Sequence, residues 1–201
     1  MTVIPTDLDF MTVEELKKTE VGWPLDYVAT RGLAPYISRL RGDKHVGVEI
    51  GTCRGESAYY LLERCPFIKI LYTIDPYTEF EDWVGIIPQE TLDRQYEIAK
   101  TNLNRFGDRV KMIKKRSDDK EVIDMFEKDS LDFLFVDGDH SLEATRNDLV
   151  NYYSKVKRGG LICGHDYGLP SVRSAISEFR KICKCNTPLQ MTTNNAWFFT
   201  K

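Results

Sequence analysis

The stretch Val46-Gly-Val-Glu-Ile-Gly-Thr-Cys-Arg-Gly-Glu-Ser57 constrains the fold more than any other part of the chain. Val46, Val48 and Ile50 predict a short buried strand that ends around Glu49 and Gly51. Gly55 follows, at the start of a helix predicted over Glu56–Arg64. Strand, glycine turn and helix in succession present backbone N–H groups to a ligand at the edge of a parallel sheet. Gly51 lets the chain turn sharply, and Gly55 lets the backbone approach a ligand closely. The spacing is acidic-x-Gly-x-x-x-Gly, whereas seating a pyrophosphate takes Gly-x-Gly-x-x-Gly. A carboxylate just before the turn repels phosphate and favours a ligand with a cationic amine.

The rest of the chain alternates strands and helices. Ile68–Ile74, Val110–Ile113 and Leu131–Val136 read as strands. A fifth strand follows the glycine turn Arg158-Gly-Gly, and a last apolar strand runs from Met191 or Ala196 to Thr200, antiparallel near the sheet edge. Helices are predicted from Gln89 to Phe106, Leu142 to Tyr153 and Ser171 to Lys184. Thr12 to Glu15 is a capping-box pattern that starts a short helix. Trp23-Pro24 marks a break before a second helix, from about Tyr27 to Leu40. That segment covers either a sheet edge or the mouth of a site. Tyr77 to Glu90, with Phe80, Trp83 and Gly85-Ile-Ile-Pro88, reads as a long irregular stretch, either a lid or a packed insertion. The pattern predicts an α/β fold, a mostly parallel sheet with helices on both faces. Residues 1–201 are read as one domain, a helical cap over 1–45 and a Rossmann-like core over 46–201.

Composition narrows the class. A 201-residue chain with 42% hydrophobic and 29% charged residues is that of an ordinary globular domain. A net charge of −3 weakens the case for nucleic-acid binding. No apolar run approaches a membrane span, and the first residues lack the pattern of a signal peptide. The five cysteines, odd in number and without a Cys-x-x-Cys pair, predict reduced thiols in a cytoplasmic protein. The partner expected is a small molecule; oligomeric state is not legible.

Polar residues gather where four strands end: Glu49, Asp75, Asp137 with His140, and His165 with Asp166. Open α/β sheets bind ligands at this edge. Asp75 suits a ribose diol, because an ionised carboxylate is acceptor-only and hydroxyls donate; it also suits a strand-ending cap. Ser117 and Asp118 leave the third strand where either can bond an adenine edge, and Asp118 is equally a helix N-cap. Asp137-Gly-Asp-His-Ser141 places two carboxylates and an imidazole in one glycine-bent turn. His140 has an unperturbed pKa suited to taking a proton near neutrality, or is structural against Asp137 or Asp139.

The Val46–Ser57 stretch resembles motif I of class I S-adenosylmethionine-dependent methyltransferases. Phe135-Val-Asp-Gly-Asp-His-Ser141 and Gly159-Gly-Leu-Ile-Cys-Gly-His-Asp-Tyr167 resemble the branch that includes macrocin O-methyltransferase-like sugar enzymes (methyltransferase domain family 24). The resemblance covers roughly residues 44 to 180. It implies a seven-stranded sheet with its last strand antiparallel, and S-adenosyl-L-methionine as cofactor. It implies that Glu49 and Gly51 contact the methionine end, Asp75 the ribose and Ser117 or Asp118 the adenine. Thr52, Gly55, Ser57 and Asp137 complete the expected cofactor set. It further implies His140 and Asp137 as catalytic residues, and a divalent metal such as magnesium on Asp137, His165 and Asp166. His165 stands where relatives carry an acid. Magnesium prefers oxygen ligands and imidazole suits a transition ion, so this position bears on metal identity.

The expected function is methyl transfer to a small hydroxylated acceptor such as a sugar. Two rivals stand beside it: a nucleotide-dependent enzyme of related fold, which the glycine spacing disfavours, and a cofactor- or partner-binding module without turnover.

Overall fold

The computed structural model describes residues 11–16, 29–82, 85–192 and 194–201. The expected Trp23-Pro24 break, the start of the Tyr27 helix and Trp83 lie outside the described residues. Strands are β1 His45–Ile50, β2 Ile68–Ile74, β3 Phe80–Asp82, β4 Gly85–Ile87, β5 Val110–Ile113, β6 Leu131–Val136, β7 Val156–Gly164, β8 Gln190–Met191 and β9 Trp197–Thr200. Helices are α1 Val13–Leu16, α2 Ala34–Ile37, α3 Glu56–Arg64, α4 Gln89–Asn104, α5 Lys120–Asp124, α6 Leu142–Tyr153 and α7 Pro170–Ile182.

Seven strands form one sheet in the order β5-β2-β1-β6-β7-β9-β8. The first five run parallel, and β9 runs antiparallel to both β7 and β8. Central β6 is buried at every position. Phe133 and Phe135 enter a core with Ala58, Leu61 and Leu62 of α3; Leu134 and Val136 enter a second with Leu149 of α6 and Ile176 and Phe179 of α7. Side chains alternate faces along a strand, so a strand covered on both sides must be apolar throughout. Each such large side chain contributes about 1.5–3 kcal/mol by leaving water. Gly47 pairs with Phe133 across β1 and β6. A Cβ there would lie 2.0 Å from the Phe133 ring, so only glycine admits that ring over β1.

The capping box forms. Thr12 N donates to Glu15 Oε2 at 2.7 Å, and Glu15 N donates to Thr12 Oγ1 at 3.2 Å. The helix expected to Leu40 is instead a 3₁₀ turn, Ala29–Gly32, followed by α2. Pro35 has no N–H to continue a helix, so the chain breaks and restarts at α2. Gly32 is bare where it passes Thr192, whose side chain a Cβ would meet at 2.5 Å. The stretch expected to be irregular after Tyr77 contains an antiparallel pair, β3 with β4. Among the described residues no helix is long and apolar enough to cross a membrane. All five cysteines are free thiols.

Candidate functional site

The parallel order brings the ends of β2, β1, β6 and β7 side by side, and with them the polar strand tips. Glu49 ends β1 fully buried, and neither of its carboxylate oxygens has a hydrogen-bond partner. Burial, reinforced by Asp137, Asp75 and Glu56, pushes its pKa well above the usual carboxylate range. An orphaned buried carboxylate is costly and is relieved by a cation or a donor. Gly51 turns at φ 88°, and a Cβ there would lie 2.0 Å from the Asp137 carbonyl oxygen. The glycine is therefore needed for both its backbone and its bareness.

Asp75 organises the loop after β1. Its Oδ2 accepts the N–H groups of Thr52 and Cys53, each at 3.0 Å, and its Oδ1 accepts Tyr77 N at 2.9 Å. The Tyr77 hydroxyl donates to the Cys53 carbonyl at 2.8 Å. Thr52 is buried. Gly55, at φ 79°, caps α3 and packs on Leu103, 3.1 Å from where a Cβ would stand. Ser57 lies in the first turn of α3, and its carbonyl accepts the Thr30 hydroxyl at 3.1 Å. Asn102 of α4 pins the loop from behind: its Nδ2 donates to the Arg54 carbonyl and its Oδ1 accepts Val13 N, both at 2.8 Å.

Across the β1/β6 boundary lies a cluster of two imidazoles and two carboxylates. His140 Nε2 lies 2.9 Å from Asp166 Oδ2. His165 Nδ1 lies 3.2 Å from the same oxygen and 3.7 Å from Asp137 Oδ1. The other His165 nitrogen is 2.8 Å from the Asn194 carbonyl, and Trp197 Nε1 donates to the His165 backbone carbonyl at 2.9 Å, so both the ring and its backbone are fixed. The imidazoles of His140 and His165, 2.9 and 3.2 Å from its Oδ2, keep Asp166 well below the usual carboxylate range. Asp166 raises His140 above its ordinary value despite burial. Burial lowers the His165 pKa, but Asp166 and Asp137 outweigh it, to about 8. Burial lifts Asp137 to about 6 against the pull of His165. Cys53, Tyr77 and Asp166 at this edge hold positive φ of 48°, 49° and 57°.

One donor atom each from Asp137, His140 and Asp166 lies within 4.8 Å of the others, a grouping able to hold a metal ion. Two carboxylates and an imidazole fit a transition ion at least as well as magnesium. His165 stands beside this group and contributes Nδ1 to its hydrogen bonds.

Ser117 and Asp118 lie further out. Asp118 forms a two-point pair with Arg116, Nε and Nη2 at 2.8 Å each, and Asp119 stands at the N-cap of α5. The cap reading of Asp118 is thereby corrected: the helix begins one residue later. The Ser117 hydroxyl donates to Asp148 Oδ1 at 2.6 Å, and its carbonyl accepts the Tyr152 hydroxyl at 2.9 Å. Burial pushes Asp148 up to about 7. Sequence reasoning missed Asp148, Tyr77 and Asn102. Asp148 was findable: it falls on the buried stripe Thr145, Asp148, Leu149, Tyr152 of α6, where an acid is out of place.

Residues 48–167 match a family model described as a methyltransferase domain. The chain is 34% identical over 125 residues to uncharacterized protein R132 of Acanthamoeba polyphaga mimivirus, covering 60% of this chain and 50% of that one. It thus spans about half the length of the curated relative it matches. Among solved structures it is similar to the O-methyltransferase NovP (17% identity, 97% of each chain, TM-score 0.62). It is also similar to the O-methyltransferase from Bacillus cereus in complex with SAH (16% identity, 99% and 93% covered, TM-score 0.60). Spermidine synthase from Thermotoga maritima shares the fold too (15% identity, 88% and 60% covered, TM-score 0.56). At these identities the likeness is one of fold, and it spans more than one kind of reaction.

Proposed function

The chain belongs to the methyltransferase-domain family matched over residues 48–167, and from that premise we propose that it transfers a methyl group from S-adenosylmethionine to a hydroxyl oxygen of a small acceptor such as a sugar. The observation that carries the reading is Glu49: a buried carboxylate with no partner, beside a bare glycine turn. A ligand amine supplies the missing partner, and no phosphate has to be seated there.

S-adenosylmethionine supplies, when bound, an electrophilic methyl on a positively charged sulfur. Glu49 accepts from the amine, Gly51 and Thr52 offer bare backbone to the ligand, and Gly55, packed on Leu103, with Ser57 sets the start of α3 behind it. Asp75 holds three loop amides and keeps one acceptor site, on Oδ1, for a ribose hydroxyl. Ser117 and Asp118 border the adenine, and Asp137 borders both halves of the site. His140 takes the acceptor's hydroxyl proton as the oxygen–carbon bond forms and the carbon–sulfur bond breaks, leaving S-adenosylhomocysteine and a methyl ether. Alignment of donor and nucleophile supplies much of the acceleration.

A divalent metal is the second part of the proposal. Asp137, His165 and Asp166 hold it in the first arrangement, leaving His140 as base. The convergence of Asp137, His140 and Asp166 favours a second arrangement in which His140 is a ligand. In either case the residues fix an ion able to lower the acceptor's pKa.

Calorimetry of the whole chain tests the donor half. S-adenosylhomocysteine is expected to bind at least tenfold more tightly than NAD, and Glu49→Gln to weaken that binding. Preferred binding of NAD would overturn the reading. Cofactor binding without turnover of any hydroxylated acceptor in a broad panel would favour a non-catalytic module.

A further inference from the structure

α7 carries a second feature that the methyl-transfer site does not use. A groove of about 680 Å³ runs along one face of the helix and begins at Tyr167, the residue after Asp166. Arg173, Ser177, Arg180, Lys181 and Lys184 line it, and no carboxylate does. Among the described residues none of these four cations has a carboxylate partner, although cations elsewhere, such as Lys100, Lys111, Lys115 and Arg116, sit against acids. In a chain of net charge −3 this is a local, uncompensated positive field.

The two guanidiniums are also fixed in place. Arg173 Nη1 donates to the Gly168 carbonyl at 2.6 Å and the Tyr167 carbonyl at 3.2 Å, leaving its Nε–Nη2 edge for an oxyanion. Arg180 donates to the Thr187 carbonyl and to Cys185 Sγ, and its guanidinium lies 4.7 Å from the Phe199 ring centroid. Carbonyls orient a guanidinium without cancelling its charge, and a pre-set planar fork suits phosphate oxygens. Arg173 and Lys181 are separated by about 12 Å of helix. Arg180, Lys181 and Lys184 lie within about one helical turn of one another, close enough for one diphosphate to engage more than one of them.

We propose that this groove binds the phosphate-bearing part of the acceptor, so that the small molecule methylated is a phosphorylated or diphosphate-linked one. The inference rests on the methyl-transfer reading for the word acceptor, but the groove is testable by itself. The volume suits a small molecule. Tyr167, which lines the groove, follows Asp166 directly in the chain, and the acceptor's phosphate would then lie along α7 with its hydroxyl toward the His140 cluster.

The test is titration of the 201-residue chain with pyrophosphate, inorganic phosphate and S-adenosylhomocysteine at low salt. Wild type is compared with Lys181→Glu/Lys184→Glu, two exposed lysines whose replacement leaves the core intact. The expected result is pyrophosphate binding stronger than phosphate, weakened at least tenfold in the double variant, with unchanged S-adenosylhomocysteine affinity and melting temperature. Absence of pyrophosphate binding in wild type, or equal affinity in both proteins, overturns the groove and leaves the methyl-donor site standing. Lysine-dependent binding of a short single-stranded RNA without pyrophosphate binding overturns it in favour of a nucleic-acid surface. Lysine-dependent pyrophosphate binding with no S-adenosylhomocysteine binding supports the groove and removes the methyl donor.

Discussion

A methyl group on Gly51 would stand 2.0 Å from the carbonyl oxygen of Asp137. The end of β1 and the turn after β6 therefore touch backbone to backbone, and this contact sets Glu49 and the His140 cluster side by side. Gly51→Ala meets two obstacles, the clash and a φ of 88°. Gly42 has φ 103° with nothing within 4 Å of a built Cβ, so Gly42→Ala meets only the second. Gly51→Ala should cost about 3 kcal/mol or more and Gly42→Ala about 1 kcal/mol in urea unfolding. Equal losses would show that the close approach to Asp137 does not matter.

Asp75 has two candidate roles that can be separated. Removing its carboxylate leaves the amides of Thr52, Cys53 and Tyr77 without their acceptor. Asp75→Ala should weaken S-adenosylhomocysteine binding by about 1.5–3 kcal/mol. A ligand analogue lacking both ribose hydroxyls distinguishes the causes. If Asp75 also accepts from the ribose, wild type should discriminate against the analogue and the variant should not. Equal discrimination by both proteins would leave Asp75 as a loop organiser alone.

What could be read from the sequence was what local chemistry decides. The Thr12–Glu15 capping box, the Leu142–Tyr153 helix and the polar ends of four strands depend on neighbours in sequence, and all formed. The helix expected to Leu40 failed at Pro35, which sits inside the apolar periodicity of Leu33, Tyr36, Ile37 and Leu40 and has no N–H to carry the backbone ladder through. Asp118 and Asp119 are interchangeable as caps on paper; Arg116, two residues back, takes Asp118 for an ion pair. The candidate site divides the same way. That Asp137, His140, His165 and Asp166 share one sheet edge was legible. That Asp166 serves both imidazoles was not, because side-chain partners across strands follow from register and twist. Asn102 was hidden for the same reason, since its two bonds reach Val13 and Arg54 through the fold.

Asp148 makes stability depend on pH. Burial raises its pKa from 3.8 to about 7, so between these values the folded state holds a proton that the unfolded state has released. Stability then falls as pH rises through that window, and the loss is complete above about pH 7. Asp148→Asn keeps an acceptor for the Ser117 hydroxyl without the ionisation. Its stability should exceed that of wild type at pH 8 by up to a few kcal/mol, and the two should converge near pH 4. Parallel unfolding profiles from pH 4 to 8 would remove Asp148 as the source.

His140 separates three accounts of the cluster. Its Nε2 lies 2.9 Å from Asp166, and it shares with Asp137 and Asp166 a geometry able to hold an ion. If it is the base, His140→Ala should lower the single-turnover rate by roughly 10²–10⁴-fold with metal content, cofactor affinity and melting temperature unchanged. If it is a ligand, the same change should release metal on dialysis, and saturating manganese should restore much of the rate. His165→Ala should then retain the ion. If His140 only ties Asp166 in place, the melting temperature should drop while the rate per folded molecule stays near that of wild type. Elemental analysis on both histidine variants, with rate and melting temperature on the same samples, decides among them. A wild-type rate that survives excess chelator, in protein shown to be metal-free, would eliminate the ligand account and leave base against positioning. A full rate in metal-free His140→Ala would then pass proton removal to Asp139 or to no residue at all.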